Sequence, residues 1–387
     1  MSVTAAPGFA ASGVSAGIRP SGKPDVALVR SLGPSVGCAM WTTNRVQAAP
    51  VTVSRRHLAA AQPQAVVVNA GVANAATGRG GEDDAEQTAV HAAARLGLVP
   101  EQVLVLSTGV IGPRLPMPKL LAGVDEAAVA LSPGGGPAAA EAILTTDASA
   151  KTAVATRDGF TVGGMAKGAG MIHPRLATML AVVTTDYPLA EGEADAFLGP
   201  AVERTFNRIS VDGDCSTNDA VVLLARSVDG DRVPAKDASF AQTLEEVCAD
   251  LARQIVADGE GATVVLEIVV RRATTDAQAR AIALRVATSP LVKTAAFGRD
   301  PNWGRVLAAA GSAPWNGGFA ELDPERLRVS FDGTAVFERG APTGLVPTLG
   351  GSDARIELDL GLGDGECAYL ASDLSYDYVR LNAEYTT

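Results

Sequence analysis

Apolar positions along this chain follow three spacings, and each predicts a different kind of element. Continuous runs such as Ala65-Val-Val-Val-Asn69 and Val103-Leu-Val-Leu106 have the length and β-branching of strands buried on both faces. Each ends in a polar, glycine-containing stretch that reads as a turn. Between them, 82–98 has helical composition, with acidic residues set in its first turn where they suit the helix dipole. The clearest helix is 239–258. Phe240, Leu244, Val247, Cys248, Leu251 and Ile255 fall on one face, Ser239 with Gln242 makes a capping box, and Gly259 is a natural stop. A strand over 264–270 leads into a second capped helix at Thr275-x-x-Gln278. In the C-terminal third the period becomes two, over 328–331, 335–337 and 355–360. Pro-Gly-rich joints lie at 132–137 and 340–351. Interleaved helices and strands predict an α/β (α+β) protein in layers, with helices covering largely antiparallel or mixed sheet.

Composition narrows the picture. The 387 residues suffice for a large core and more than one domain, and 47% hydrophobic content excludes a disordered chain. No uncharged apolar run approaches the ~20 residues of a membrane span. The start, Met-Ser-Val-Thr-Ala-Ala-Pro, lacks a basic stretch followed by an apolar core, so cytoplasmic residence is expected. Aromatic residues are only 4% while Gly and Ala are abundant, which predicts closely packed layers built from small side chains. A formal charge of −11 argues against nucleic acid or anionic membrane as partner.

Chemistry-bearing residues give few local motifs. Cys38, Cys215, Cys248 and Cys367 are scattered, so free thiols are expected. His57, His91 and His173 form no metal-spaced cluster, and no metal is expected. Gly361-Leu-Gly-Asp-Gly365 lacks dinucleotide-binding spacing, and the Lys-Thr pairs at 151–152 and 293–294 lack the glycine of a phosphate loop. No cofactor follows from the sequence.

The stretch Lys167-Gly-Ala-Gly-Met-Ile-His-Pro-Arg-Leu-Ala-Thr-Met-Leu180 is different. A glycine-bearing loop runs into an apolar strand that opens at Thr178. A threonine so placed can attack the carbonyl before it and break the chain at Ala177–Thr178. The freed α-amine, titrating at about 7.7–8.0, would then serve as base to the same hydroxyl. Alone, Thr178 is better explained as a β-branched strand former. The neighbouring words decide the matter.

Those words are Asn69-Ala-Gly-Val-Ala-Asn74, Ser107-Thr-Gly-Val-Ile-Gly112, Leu144-Thr-Thr-Asp147 and Ala166-Lys-Gly-Ala-Gly-Met-Ile172. Ala177-Thr-Met-Leu180, Cys215-Ser-Thr-Asn-Asp219 and Asp258-Gly-Glu-Gly-Ala262 continue the series. Ser289-Pro-Leu-Val-Lys-Thr294, Asp300-Pro-Asn-Trp-Gly-Arg305 and Asn382-Ala-Glu-Tyr-Thr-Thr387 complete it. In this order, over the whole length, the chain resembles the ornithine acetyltransferase family, also called glutamate N-acetyltransferase, of arginine biosynthesis.

The resemblance implies a layered αββα sandwich like that of self-processing aminopeptidases, with a smaller C-terminal lobe. It implies self-cleavage into an α chain 1–177 and a β chain 178–387, and a heterotetramer of two α and two β chains. Thr178 would take the acetyl group from N-acetylornithine and pass it to glutamate. Thr108 and Gly109 map to the oxyanion hole. Substrate contacts map to Thr145, Lys167, Thr178, Glu260, Asn382 and Thr387, with Lys167 suited to a carboxylate and Glu260 to an ammonium. Asn382 and Thr387 otherwise read as frayed-tail residues. Some members also accept acetyl-coenzyme A as a substrate, and no coenzyme motif here decides that point.

Three further features receive structural readings. His173, five residues before Thr178, is assigned to loop packing. Asp212, Asp214 and Asp219 are assigned to a hydrogen-bonded turn supporting the active site, and Trp303 to a packing anchor. The rival functions are a self-processing aminopeptidase or amide hydrolase, in which water accepts the acyl group, and a non-enzymatic binding module.

Overall fold

The computed structural model describes residues 2–173, 179–226 and 234–384. The chain divides into two compact units, Met1–Asn207 with Asp214–Ile255, and Arg208–Gly213 with Val256–Tyr385.

The first unit contains a four-stranded and a five-stranded sheet. In the four-stranded sheet, Phe9–Val14, Val26–Ser31 and Ala65–Val72 run antiparallel in turn, and Val103–Val110 lies parallel to Ala65–Val72. The five-stranded sheet orders Val36–Trp41, Ala220–Ala225, Leu180–Thr185, Phe160–Lys167 and Lys151–Arg157. Its antiparallel pair Phe160–Lys167 and Leu180–Thr185 comes from opposite sides of the Ala177–Thr178 bond.

Side-chain alternation builds the layers. Val66, Val68, Leu104 and Leu106 face a core shared with Met165, Leu180, Val182, Val222 and Leu224 of the other sheet. Ala65, Val67, Val103 and Val105 face the opposite way, toward helices Gly78–Leu96 and Met117–Ala130. Each large aliphatic side chain so buried contributes roughly 1.5–3 kcal/mol. On the far side of the five-stranded sheet, helix Asp237–Ala257 sets Val247 and Leu251 against Gly164. The arrangement is the αββα sandwich, and the alanines buried on Gly78–Leu96 let that helix lie close to its sheet.

The second, smaller unit is a seven-stranded mixed sheet. Val265–Ala273 runs parallel to Asp353–Asp359 and antiparallel to Gly365–Ser372. Helices Asp276–Ala287 and Trp303–Ala310 share its core.

Several boundaries differ from the sequence reading. The helix expected over 82–98 starts a turn earlier, at Gly78, so no acidic residue lies in its first turn. Asp84 is instead committed to Arg114, at 2.7 and 2.8 Å. The helix expected from Ser239 starts at Asp237, which displaces the capping box. Ser239 O accepts from Thr243 Oγ1 at 2.7 Å, and Gln242 turns to Glu246. The apolar face of that helix is buried as expected, and Thr275 caps its helix by accepting from the Gln278 N–H. Asn382 does not lie in a frayed tail but within helix Tyr376–Glu384. All four cysteines are free thiols.

Candidate active site

The strands Ala65–Val72 and Val103–Val110 do not stop where their apolar runs end. Pairing continues through Asn69↔Ser107, Ala70↔Thr108 and Gly71↔Gly109. The Ser-Thr-Gly word is therefore strand, not the polar turn that its composition suggests. Strand alternation then sets Thr108 on the face of Leu104 and Leu106, between the two sheets. Beyond it the register shifts at Gly71 and Val72, an irregularity that ends the regular ladder. Gly109 has φ +132°, and a Cβ there would lie 2.3 Å from the Gly71 carbonyl carbon. Only glycine permits this approach.

The Cys-Ser-Thr-Asn-Asp word buttresses the same strand ends. Asn218 Nδ2 donates to Ala73 O at 2.6 Å and to Ser107 O at 2.9 Å, while Thr217 Oγ1 donates to Asn218 Oδ1 at 2.7 Å. Ser107 Oγ donates to Asn69 Oδ1 at 2.6 Å. Asp219 is fully buried and accepts the Met179 N–H at 2.9 Å, which anchors the residue that follows Thr178 in the chain. Burial holds the Asp219 pKa well above the usual carboxylate range, against the opposing pull of the Met179 N–H and the Lys167 charge. Asp219 is thus a hydrogen-bonding support of the strand that follows, as the sequence reading expected of it.

On the facing sheet, Lys167 ends strand Phe160–Lys167 with the same inward orientation as Met165. It is 2% exposed, and its ammonium donates to Thr108 Oγ1 at 3.3 Å. Its counter-charge is Asp147, whose Oδ2 lies 3.9 Å away and whose Oδ1 lies 2.7 Å from Lys151 Nζ. Asp147 also accepts the backbone N–H of Gly168 at 2.6 Å and of Thr145 at 3.0 Å. Burial alone would raise the Asp147 pKa, but the two ammonium groups outweigh it and hold the carboxyl below its ordinary value. The cluster keeps one net positive charge beside Thr108.

Thr108, Gly109, Thr145 and Lys167, picked out from the sequence, are thus brought together in one unit. Ala177, Thr178 and Thr387 lie outside the described residues. Glu260 and Asn382 are brought together in the other unit, where Asn382 Nδ2 donates to Glu260 Oε2 at 2.9 Å. The Glu260 loop is held from below. Ser375 Oγ donates to Gly261 O at 2.6 Å, and Asp373 accepts the N–H groups of Thr263 and Val264. Lys293, of the Ser-Pro-Leu-Val-Lys-Thr word, is buried and donates to Ser372 O, its pKa lowered to about 8 by burial despite Asp373 and Asp212. In the Asp-Pro-Asn-Trp-Gly-Arg word, Asn302 caps helix Trp303–Ala310, and Trp303 stacks on Phe337 with centroids 5.5 Å apart. That word is helix start and packing anchor.

Sequence reasoning passed over Asp147 and Lys151 as site residues. Their signal was present as charges inside otherwise small and apolar stretches. It could not be read, because an i,i+4 Asp–Lys pair is ordinarily solvated, and only the fold buries this one against Lys167.

Comparison with known proteins gives a consistent result. The ArgJ family model matches residues 10–387. The arginine biosynthesis bifunctional protein ArgJ of Thermobifida fusca is 46% identical, over 100% of both chains. That of Gloeobacter violaceus is 47% identical, over 100% of this chain and 98% of its own. Among solved structures, the ornithine acetyltransferase of Mycobacterium tuberculosis complexed with ornithine is 46% identical, with a TM-score of 0.44. The match covers 45% of this chain and 94% of that one.

Proposed function

The chain belongs to the ArgJ family, and we propose that it moves an acetyl group from N-acetylornithine to glutamate through an acetyl-Thr178 intermediate. The observation that carries the reading is the buried Lys167–Thr108 hydrogen bond within the family's own words. An ammonium has no lone pair, so Thr108 Oγ1 is the acceptor, and its own hydrogen is left to donate elsewhere. With the Gly109 N–H, that hydroxyl makes an oxyanion hole set before the reaction, backed by a positive charge in a dry site.

Processing comes first. Thr178 Oγ attacks the Ala177 carbonyl, the amide nitrogen leaves with the hydroxyl proton, and water hydrolyses the resulting ester. This yields chains 1–177 and 178–387 and frees the Thr178 α-amine. In turnover that amine takes the Oγ proton as Oγ attacks the acetyl carbonyl, then returns it to the departing ornithine nitrogen. Glutamate reverses the sequence from the other side. Donor and product are both N-acetyl amides, so no external energy source is needed. Thr145, Lys167, Glu260, Asn382 and Thr387 hold the amino-acid portions, Glu260 being suited to the ornithine ammonium. The relatives' description as bifunctional supports acetyl-coenzyme A as a second acetyl donor to glutamate. The processed chains associate as a heterotetramer, two of each kind.

Intact mass should give two fragments meeting at Ala177–Thr178, and Thr178→Ala should stay whole and transfer nothing. Double-reciprocal plots for acetylornithine and glutamate should be parallel. Free acetate in place of acetylglutamate would instead identify an amide hydrolase, and fully active uncut enzyme would refute the processing step.

A further inference from the structure

Lys167 is an unsuitable sole partner for a substrate carboxylate. Its charge is already shared with Asp147, and its head is directed at Thr108. Another cation lies at the same strand ends. Arg19 sits in the loop between Phe9–Val14 and Val26–Ser31, and its stem crosses Gly71, the residue paired with Gly109. A Cβ on Gly71 would come within 2.9 Å of Arg19 Cγ, so that glycine leaves room for the stem.

The Arg19 head is placed by backbone. Nη1 donates to Pro24 O at 3.4 Å and Nη2 to Thr145 O at 3.3 Å. Its own backbone is fixed by fully buried Asp25, which accepts the N–H groups of Ala16, Ile18 and Arg19 at 2.7, 2.6 and 2.9 Å. Among the described residues no carboxylate pairs with the Arg19 guanidinium, which is half-buried. Three of its five N–H donors remain unused by these contacts. A planar fork held rigid, partly desolvated and without a counter-ion is the form of cation that binds a carboxylate through two parallel hydrogen bonds.

We propose that Arg19 binds the α-carboxylate of the amino-acid substrates, the group common to acetyl donor and acceptor. Lys167 then serves the oxyanion hole, and Arg19 sets which molecules enter. The assignment rests on the acetyl-transfer reading of the site.

The test compares wild type with Arg19→Lys, Arg19→Gln and Arg19→Met, the last keeping an unbranched stem over Gly71. N-acetylornithine is assayed against its α-carboxamide. Wild type should prefer the acid by about 10-fold or more, the range of a charge-assisted pair. Arg19→Gln and Arg19→Met should raise KM for acetylornithine and glutamate about 10- to 100-fold with kcat changed far less, and should lose the preference for the acid. Arg19→Lys should recover part of both. Equal use of acid and carboxamide by wild type overturns the proposal without any variant, as does wild-type KM with preference retained in Arg19→Met. Calorimetric binding of glutamate separates the two readings. Wild type that binds glutamate but makes no acetylglutamate refutes acetyl transfer, and weaker binding by Arg19→Met still supports Arg19. Glutamate binding left undiminished in Arg19→Met overturns the Arg19 assignment while acetyl transfer stands.

Discussion

The Asp147–Lys151–Lys167 cluster and the Glu260–Asn382 pair are both polar constellations, but they obey opposite physics. The cluster is sealed, with side-chain exposure of 0%, 1% and 2%, and every charge in it is committed to a neighbour. The pair is exposed, joining a loop residue to a helical one. A buried charge set must be satisfied internally or it unfolds the protein, so its geometry is rigid and its members depend on one another. An exposed pair competes with water, contributes little to stability, and can be exchanged for contacts with a ligand. The first suits a preorganised oxyanion site, and the second suits a subsite that must accept two different amino acids.

Breaking the cluster should cost the most. Asp147→Asn leaves two ammonium groups buried without their carboxylate and should destabilise by about 3–5 kcal/mol in urea unfolding, with activity lost. The pH dependence should change with it. The native Asp147 carboxyl ionises below its ordinary value, so its contribution is fully present above an unfolded pKa of about 3.9. It is lost as pH falls through the lower native value. The variant should lack that part of the acid dependence, and identical acid limbs would contradict the cluster's assigned role.

Thr108→Ala tests the catalytic side of the comparison with less damage to the fold. Removing one preorganised donor should lower kcat about 10²- to 10³-fold with little change in KM. A variant whose KM rises while kcat holds would place Thr108 with ground-state binding instead.

Glu260→Gln is the smallest change. Stability should stay within about 0.5 kcal/mol, because the pair is exposed. KM for acetylornithine should rise more than KM for glutamate, since only the former brings a distal ammonium. A stability loss as large as that of Asp147→Asn would erase the distinction between the two constellations.

Most elements were legible where a period repeated. The buried face of Asp237–Ala257, the Thr275 cap and the two-residue alternation near the C-terminus are local patterns, and local physics decides them. Errors fell at ends, where neighbouring elements compete with capping. Gly78-Arg-Gly-Gly is a poor helix start by propensity, yet Gly81 is buried there because a side chain would strike Thr77 and Asn74. Ser107-Thr-Gly reads as a turn by composition and is strand because Ala65–Val72 extends alongside to pair with it.

Family words along the chain mark Thr108, Gly109, Thr145, Lys167, Glu260 and Asn382. Sequence alone also determined the strand and helix faces, because burial is written in a period that needs no partner. What tertiary structure decided is the electrostatics. That Lys167 points at Thr108, that Asp147 is shared between Lys151 and Lys167, and that Arg19 meets Thr145 across 126 positions all depend on how strands and loops fold against one another. Coulomb energies vary with distance and burial, and no local pattern of residues encodes either.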